Sequence, residues 1–225
     1  MNCICNKENI SRNLFGYYYI TYRYGAIKFE FIQILQISKY FLMAHINLQN
    51  DYPGIRGPMA FSPQTTAPLN NLAEILLRDD NNTLSRGERE LIATYVSSLN
   101  DCFFCQNVHG GLAQHYLKCD TNFMDQVKRD FIASEVSEKM KTLLSIAASV
   151  QKAGKNVTPQ QIENAKTQGA TDKEIHDTVL IAAAFCMFNR YVDGLATWAP
   201  EDKSYYIERA KQRAEEGYAG YDASK

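Results

Sequence analysis

Downstream of residue 43 the apolar positions recur with helical spacing, and cap and turn residues cut that pattern into separate segments. Residues 51–68 interrupt it with four Pro and two Gly, which predicts an irregular arm. A short amphipathic helix follows over 69–78 and ends in polar Asp79-Asp80-Asn81-Asn82. Ser85 and Glu88 have the spacing of a capping box, in which the Ser side chain bonds an orphan backbone N–H and the Glu reaches back. The helix they open runs to about residue 99, with Leu91, Ile92, Tyr95, Val96 and Leu99 as its apolar stripe. Asn100-Asp101 breaks it, and a second helix is expected over 102–117.

Further helices are expected over 120–132 and over 135–152, the latter stopping near Gly154. Thr158-Pro159 supplies an N-cap with Pro at the first helical position, and that helix ends at Gly169. Thr171 and Glu174 form a second capping box. It opens a long apolar helix to about residue 198, with Pro200 marking its end. A charged amphipathic helix over 203–216 and a Gly-rich, fraying tail close the pattern. The expected fold class is all-α, with no internal repeat and no Gly-rich phosphate loop.

Residues 1–42 do not share this pattern. They hold six of the 14 Tyr, four of the 11 Phe and seven Ile, with a single Ala and no Pro. Their net charge is +3, which leaves −4 on the other 183 residues. They lack the compact apolar core and small-residue cleavage site of a signal peptide. One expectation is a genuine N-terminal extension, in which Tyr17-Tyr18-Tyr19-Ile20-Thr21-Tyr22 is β-prone and residues 29–43 form an amphipathic helix or strands. The excess of Asn, Ile, Lys, Tyr and Phe favours another expectation, that 1–42 is a leader not translated natively and that translation starts at Met43. The division expected is therefore 1–42 as leader and 43–225 as a single domain.

Composition narrows the function classes. With 45% hydrophobic and 22% charged residues, 12 Gly and 6 Pro, the chain is not collagen-like, low-complexity or wholly disordered. A net charge of −1 argues against a dedicated nucleic-acid or polybasic membrane binder. Six Cys in 225 residues do not make a disulfide scaffold. No run reaches the ~18 apolar residues of a membrane-spanning helix.

The candidate chemistry lies in Cys102-Phe103-Phe104-Cys105-Gln106-Asn107-Val108-His109. On a continuous helix, Cys102, Cys105 and His109 fall within a sector of ~60°, with Leu112, Ala113 and Tyr116 on the same side. Cys105 and His109 are one turn apart, so the imidazole can take the thiol proton directly or through one water. A nearby base and a helix N-terminus both favour the reactive thiolate. A second Cys one turn away can close a disulfide after the first is oxidised. Two other readings fit the same spacing. One is a zinc site completed by His115 or Cys119, although no second CxxC or HxxxH is present. The other is a pair of small buried residues beside a satisfied His. A thioredoxin-like site lacks its βαβ frame.

The stretch Leu84-Ser85-Arg86-Gly87-Glu88-Arg89-Glu90-Leu91-Ile92-Ala93, followed by Cys102-Phe103-Phe104-Cys105 and His109, resembles the alkylhydroperoxidase D-like family, also called carboxymuconolactone decarboxylase-like. Redox members of that family carry a Glu, eleven residues, CxxC, three residues and a His, and Glu90, Cys102, Cys105 and His109 fit that pattern. The arm at Pro53-Gly54-Ile55 and Asn189-Arg190-Tyr191-Val192-Asp193-Gly194 resemble its peroxidase-related subgroup. The likeness runs from about 43 to 216. It implies a helical bundle with an extended N-terminal arm, antioxidant chemistry on hydroperoxides, no metal or other cofactor, and a homo-oligomer. It also implies that Cys105 attacks the peroxide, Cys102 resolves, His109 is the base and Glu90 polarises it. Helix-terminus electrostatics point instead to the thiolate at Cys102, while the adjacent His points to Cys105, and Cys105 is preferred. Some members have a His where this chain has Phe104, which removes one proton-relay group.

The function expected is a cytoplasmic thiol peroxidase that meets a hydroperoxide and an external dithiol or disulfide reductase, without a nucleic-acid or membrane partner. The Pro-rich arm suggests at least a dimer, with trimer or hexamer as alternatives. Rival readings are a redox-responsive oligomeric sensor with little turnover, and a lactone decarboxylase, which would not need the paired Cys. Taken alone, Glu90 lies opposite the apolar stripe and reads as an exposed helix charge; its functional role requires that face to meet the CxxC helix. Cys119 and Cys186 read as structural and His115 and His176 as surface or helix residues. Arg190 and Asp193 read as an i,i+3 ion pair or a site-supporting contact, and Trp198 as packing.

Overall fold

The computed structural model describes residues 9–12, 18–21 and 44–219. The chain divides into two units, Met1–Phe41 and Leu42–Lys225. In the first, β1 (Asn9–Arg12) pairs antiparallel with β2 (Tyr18–Thr21), Ile10 opposite Ile20. The rest of residues 1–42, and the expected translation start at Met43, lie outside the described residues.

The described part of the second unit is all-α. Its helices are α1 (Arg56–Phe61), α2 (Pro63–Arg78), α3 (Arg86–Leu99), α4 (Phe103–Leu117), α5 (Thr121–Asp130), α6 (Glu138–Lys152), α7 (Pro159–Thr167), α8 (Asp172–Gly194) and α9 (Lys203–Glu216). A 3₁₀ turn, Gly154–Asn156, joins α6 to α7. Side chains at the helix starts set the boundaries. Ser85 accepts from the Glu88 N–H while Glu88 Oε2 accepts from the Ser85 N–H, so two orphan donors are satisfied reciprocally. Thr171 with Glu174 does the same for α8, and Thr158 with Gln161 for α7. Asp120 and Ser137 cap α5 and α6, which begin at Thr121 and Glu138.

Several stretches depart from the sequence expectations, and α6 starts at Glu138 rather than near residue 135. The arm is partly helical, because Pro58 and Pro63 sit in first turns, where an N–H has no intrahelical partner to lose. Pro68 lies inside α2 and forfeits one backbone bond there. Thr66 Oγ1 donates to the Met59 carbonyl (2.6 Å), which holds α1 against α2. α8 ends at Gly194 rather than near Trp198, and Ala196 follows at φ 50°. Trp198 instead ties the arm down: its Nε1–H donates to the Asp51 carbonyl (3.0 Å), and its own carbonyl accepts from the Gly54 N–H (2.8 Å). α5 stops at Asp130, two residues early. The tail does not fray at its start, since Glu74 Oε2 accepts from the N–H groups of Tyr218 (2.5 Å) and Ala219 (3.2 Å).

The core forms where α3, α6 and α8 meet. Leu77, Leu84, Ile92, Val96, Leu143, Leu144, Ile146 and Ile181 are fully enclosed there. Each contributes roughly 1.5–3 kcal/mol through burial. α4 packs most extensively on α3 and next on α9. Gly111 permits the second contact, because a Cβ there would lie 2.9 Å from the Tyr206 carbonyl oxygen. No helix among the described residues is long and apolar enough to cross a membrane.

Gly54 couples the arm to α4. It sits at φ +56°, and a Cβ there would lie 2.2 Å from the Phe104 ring. Gly54→Ala combines a left-handed backbone with a collision that moves Phe104. It is expected to lower stability by about 2 kcal/mol or more in urea unfolding.

Candidate active site

The turn between α3 and α4 delivers the CxxC segment. Asp101 takes the left-handed conformation at φ 56°, which Asp tolerates better than most residues, and the Cys102 N–H then donates to the Ser97 carbonyl (3.0 Å). A polar network holds the turn. Asn100 Nδ2 donates to Asn189 Oδ1 (2.8 Å), Gln151 Nε2 to Asn100 Oδ1 (2.8 Å), and Asn189 Nδ2 to Ser97 Oγ (3.0 Å). Asn189 is completely buried, so its amide must find partners, and the turn provides them. This explains Asn189 physically: it fixes where α4 begins.

Cys102 is the N-cap of α4, not part of its helix as the angular argument assumed. Its backbone is extended (φ −79°, ψ 97°) because the tight turn must reverse the chain first. Both thiols are buried, Cys102 at 0% and Cys105 at 3% exposure. They hydrogen-bond to each other. That bond, then burial, then the Cys105 charge push the Cys102 thiol well above its usual range, and Asp193 adds to the effect. Cys102 therefore keeps its proton at neutral pH. Asp193 also hydrogen-bonds Cys102, and burial raises its carboxyl above the ordinary value. Arg190 does not pair with Asp193; it donates to the Cys186 carbonyl (2.9 Å).

One turn along α4, His109 meets α3. Its Nδ1–H donates to Glu90 Oε2 at 2.7 Å. Glu90 has no exposed surface, so it is not the solvated helix charge that its position opposite the stripe suggested. α4 covers that face of α3. The carboxylate is acceptor-only, which commits the His109 proton to Nδ1 and leaves Nε2 as the basic nitrogen. The ring meets Phe185 edge to face, with centroids 4.5 Å apart.

Cys105 and His109 share the wall of a cavity of about 100 Å³. Apolar side chains dominate the lining, among them Ile55, Met59, Leu69, Leu112 and Phe188, while Arg56, Arg209 and Arg213 also border it. Phe104 faces Gly54 and meets Tyr206 edge to face at 6.0 Å, so it packs the arm and carries no proton.

Tyr218 completes the site and was missed in the sequence, where it stands in a Gly-rich tail with no periodic signal. Its hydroxyl donates to Glu90 Oε1 (2.8 Å) and lies 3.4 Å from His109 Nδ1. Its ring stacks near-parallel to the imidazole, at 18° and 6.1 Å. Cys119, Cys186, His115 and His176 stand outside the cavity lining. Cys186 contacts Asn100, His115 meets Tyr116, and exposed His176 contacts Asp177. Among the described residues, no group of three or more His, Cys, Asp or Glu side chains is arranged to hold a metal ion.

Residues 63–117, from α2 to the end of α4, match the model of the carboxymuconolactone decarboxylase family. The helices superpose on solved structures, one of them described as an alkylhydroperoxidase AhpD core. The fold is shared with that core. The core in question is an uncharacterized peroxidase-related protein from Ralstonia eutropha JMP134, with TM-score 0.62 and 24% identity over 69% of this chain and 79% of that one. A peroxidase-related protein from Silicibacter sp. TM1040 gives TM-score 0.62 and 24% identity over 76% and 87%. A protein of unknown function from Agrobacterium tumefaciens, described as an AhpD-type antioxidant defence protein, gives 0.56 and 18% over 64% and 97%. No curated protein matches the chain. The segment matched by the family model includes Glu90, Cys102, Cys105 and His109.

Proposed function

We propose that this protein is a cytoplasmic thiol-dependent peroxidase that reduces hydroperoxides through a Cys102–Cys105 disulfide cycle. One observation carries the reading: two adjacent thiols at the start of α4 stand beside a buried His109–Glu90 pair, with Cys105 and His109 lining one cavity. The peroxidase-related names of the structural neighbours agree with it.

In the proposed cycle His109 Nε2 takes the Cys105 proton. The Cys105 thiolate attacks the terminal oxygen of ROOH; the O–O bond breaks and RO⁻ leaves as ROH with that proton. Cys105 becomes a sulfenic acid. The Cys102 thiol then attacks the Cys105 sulfur, the S–O bond breaks, and the hydroxyl leaves as water with the Cys102 proton. Two thiols and ROOH thus become a disulfide, ROH and water. An external dithiol, free or on a reductase, returns two electrons and two protons. The N-terminus of α4 and the adjacent Cys102 thiol support Cys105 as the attacking sulfur. The same reading expects a homo-oligomer, whether dimer, trimer or hexamer.

Addition of one equivalent of an organic hydroperoxide to the reduced protein is expected to lower the mass of the peptide holding Cys102 and Cys105 by two hydrogens. Sustained consumption should then require a dithiol donor. Oxidation without turnover under every dithiol tried would favour the sensor reading, and unchanged thiols would sink both.

A further inference from the structure

Glu90 is buried, and its two carboxylate oxygens have different donors. His109 Nδ1–H takes Oε2 and the Tyr218 hydroxyl takes Oε1. A buried carboxylate needs such donors, and two of them fix its rotation as well as its charge. The imidazole comes from α4, inside the family-like segment, but the phenol comes from beyond α9, far outside it. We propose that Tyr218 is a positioning residue that holds the Glu90 carboxylate toward His109 and sets the proton affinity of that pair. This rests on the reading of His109 as the base for Cys105.

The tail is built to place this hydroxyl. Gly217 reverses the chain at φ +74°, and a Cβ there would lie 2.7 Å from Glu74 Oε2. The N–H groups of Tyr218 and Ala219 then bond Glu74, which Arg78 braces at 3.0 Å. Arg78 in turn donates to the Ala214 carbonyl at the end of α9 (2.6 Å). The phenol stays protonated across the working range, because burial and the neighbouring Glu90 charge hold it well above its ordinary value. It is therefore a permanent donor.

The sign of its effect follows from charge. With Glu90 ionised and His109 neutral the pair carries −1, and one more proton makes it neutral. The Tyr218 hydrogen bond stabilises the −1 form more than the neutral one. Losing it makes the pair hold its proton more tightly, and the apparent pKa belongs to the pair rather than to either residue. The charged and titratable groups around the pair and Tyr218 are Arg56 on α1, Glu74 and Arg78 on α2, Arg89 on α3, Cys105 and Tyr116 on α4, and Tyr205, Tyr206, Arg209 and Arg213 on α9. α8 presents the ring of Phe185.

Tyr218→Phe keeps the ring and deletes the donor. With only four His in the chain, carbon-13 labelling of the imidazole resolves His109 in an NMR titration of the full chain. The titration is expected to move up by about half to one pH unit in Tyr218→Phe. In a Glu90→Gln background the same substitution should leave it in place. Identical titrations in wild type and Tyr218→Phe, absence of titration in both, or an equal shift without the Glu90 charge, would overturn the proposal. The acid limb of hydroperoxide consumption should rise in parallel. Since the NMR readout needs no peroxide, a protein without turnover would count against the peroxidase reading and leave the Tyr218 result standing.

Discussion

Cys105→Ser is expected to reduce hydroperoxide consumption to the rate seen without protein. A serine hydroxyl beside the same His109 is not ionised at neutral pH and is a far weaker nucleophile toward a peroxide oxygen than a thiolate. Cys102→Ser should behave differently. It leaves the attacking sulfur, so one equivalent of peroxide is still consumed and Cys105 stops as a sulfenic acid, which a carbon nucleophile such as dimedone traps. The asymmetry follows from the structure, where Cys102 caps the helix as the proton-holding partner and Cys105 shares the cavity with His109. Full activity in Cys105→Ser would end the proposed mechanism. Stalling in Cys105→Ser and normal cycling in Cys102→Ser would retain Cys105 as nucleophile but require a resolving thiol from outside the pair.

Glu90→Gln is the second large effect, and its origin is a tautomer. A carboxylate accepts from both His109 Nδ1–H and the Tyr218 hydroxyl. An amide has one oxygen and one NH₂, so it cannot accept from both without turning a donor toward a donor. His109 can escape by moving its proton to Nε2, which removes the base from the side of the ring away from Glu90. The loss expected at neutral pH is about 100-fold or more in hydroperoxide consumption, the range in which a positioned general base contributes. The fold should survive, because the amide is isosteric and a buried charge is costly to keep. A thermal midpoint within a few degrees of wild type, together with the lost activity, is the expected pair of results. Wild-type consumption in Glu90→Gln would show that the His109–Glu90 contact is structural only.

Much of this site is written locally. Capping residues act on backbone groups three positions away, so Ser85, Thr158 and Thr171 marked their helix starts without knowledge of the rest of the fold. The spacing of Glu90, Cys102, Cys105 and His109 was equally legible. The prolines of the arm predict an irregular segment but leave it partly helical, because the cost of a proline depends on whether the missing N–H has a partner. Helical spacing puts Cys102 on the face of α4, because spacing carries no information about the left-handed turn at Asp101 that precedes it.

What the sequence by itself determined is what short-range forces govern: the helices and most of their ends, the all-α class, and a thiol pair one turn before a histidine. Tertiary structure alone decided the burial of Glu90 and its contact with His109. Its own helix leaves it on a polar face, and only the docking of α4 removes it from water and makes it answer to His109. Tyr218 reaches the same carboxylate from 128 residues away in sequence. No periodicity links positions so distant. They meet because a buried carboxylate needs donors, and the folded chain brings the tail to where one was missing.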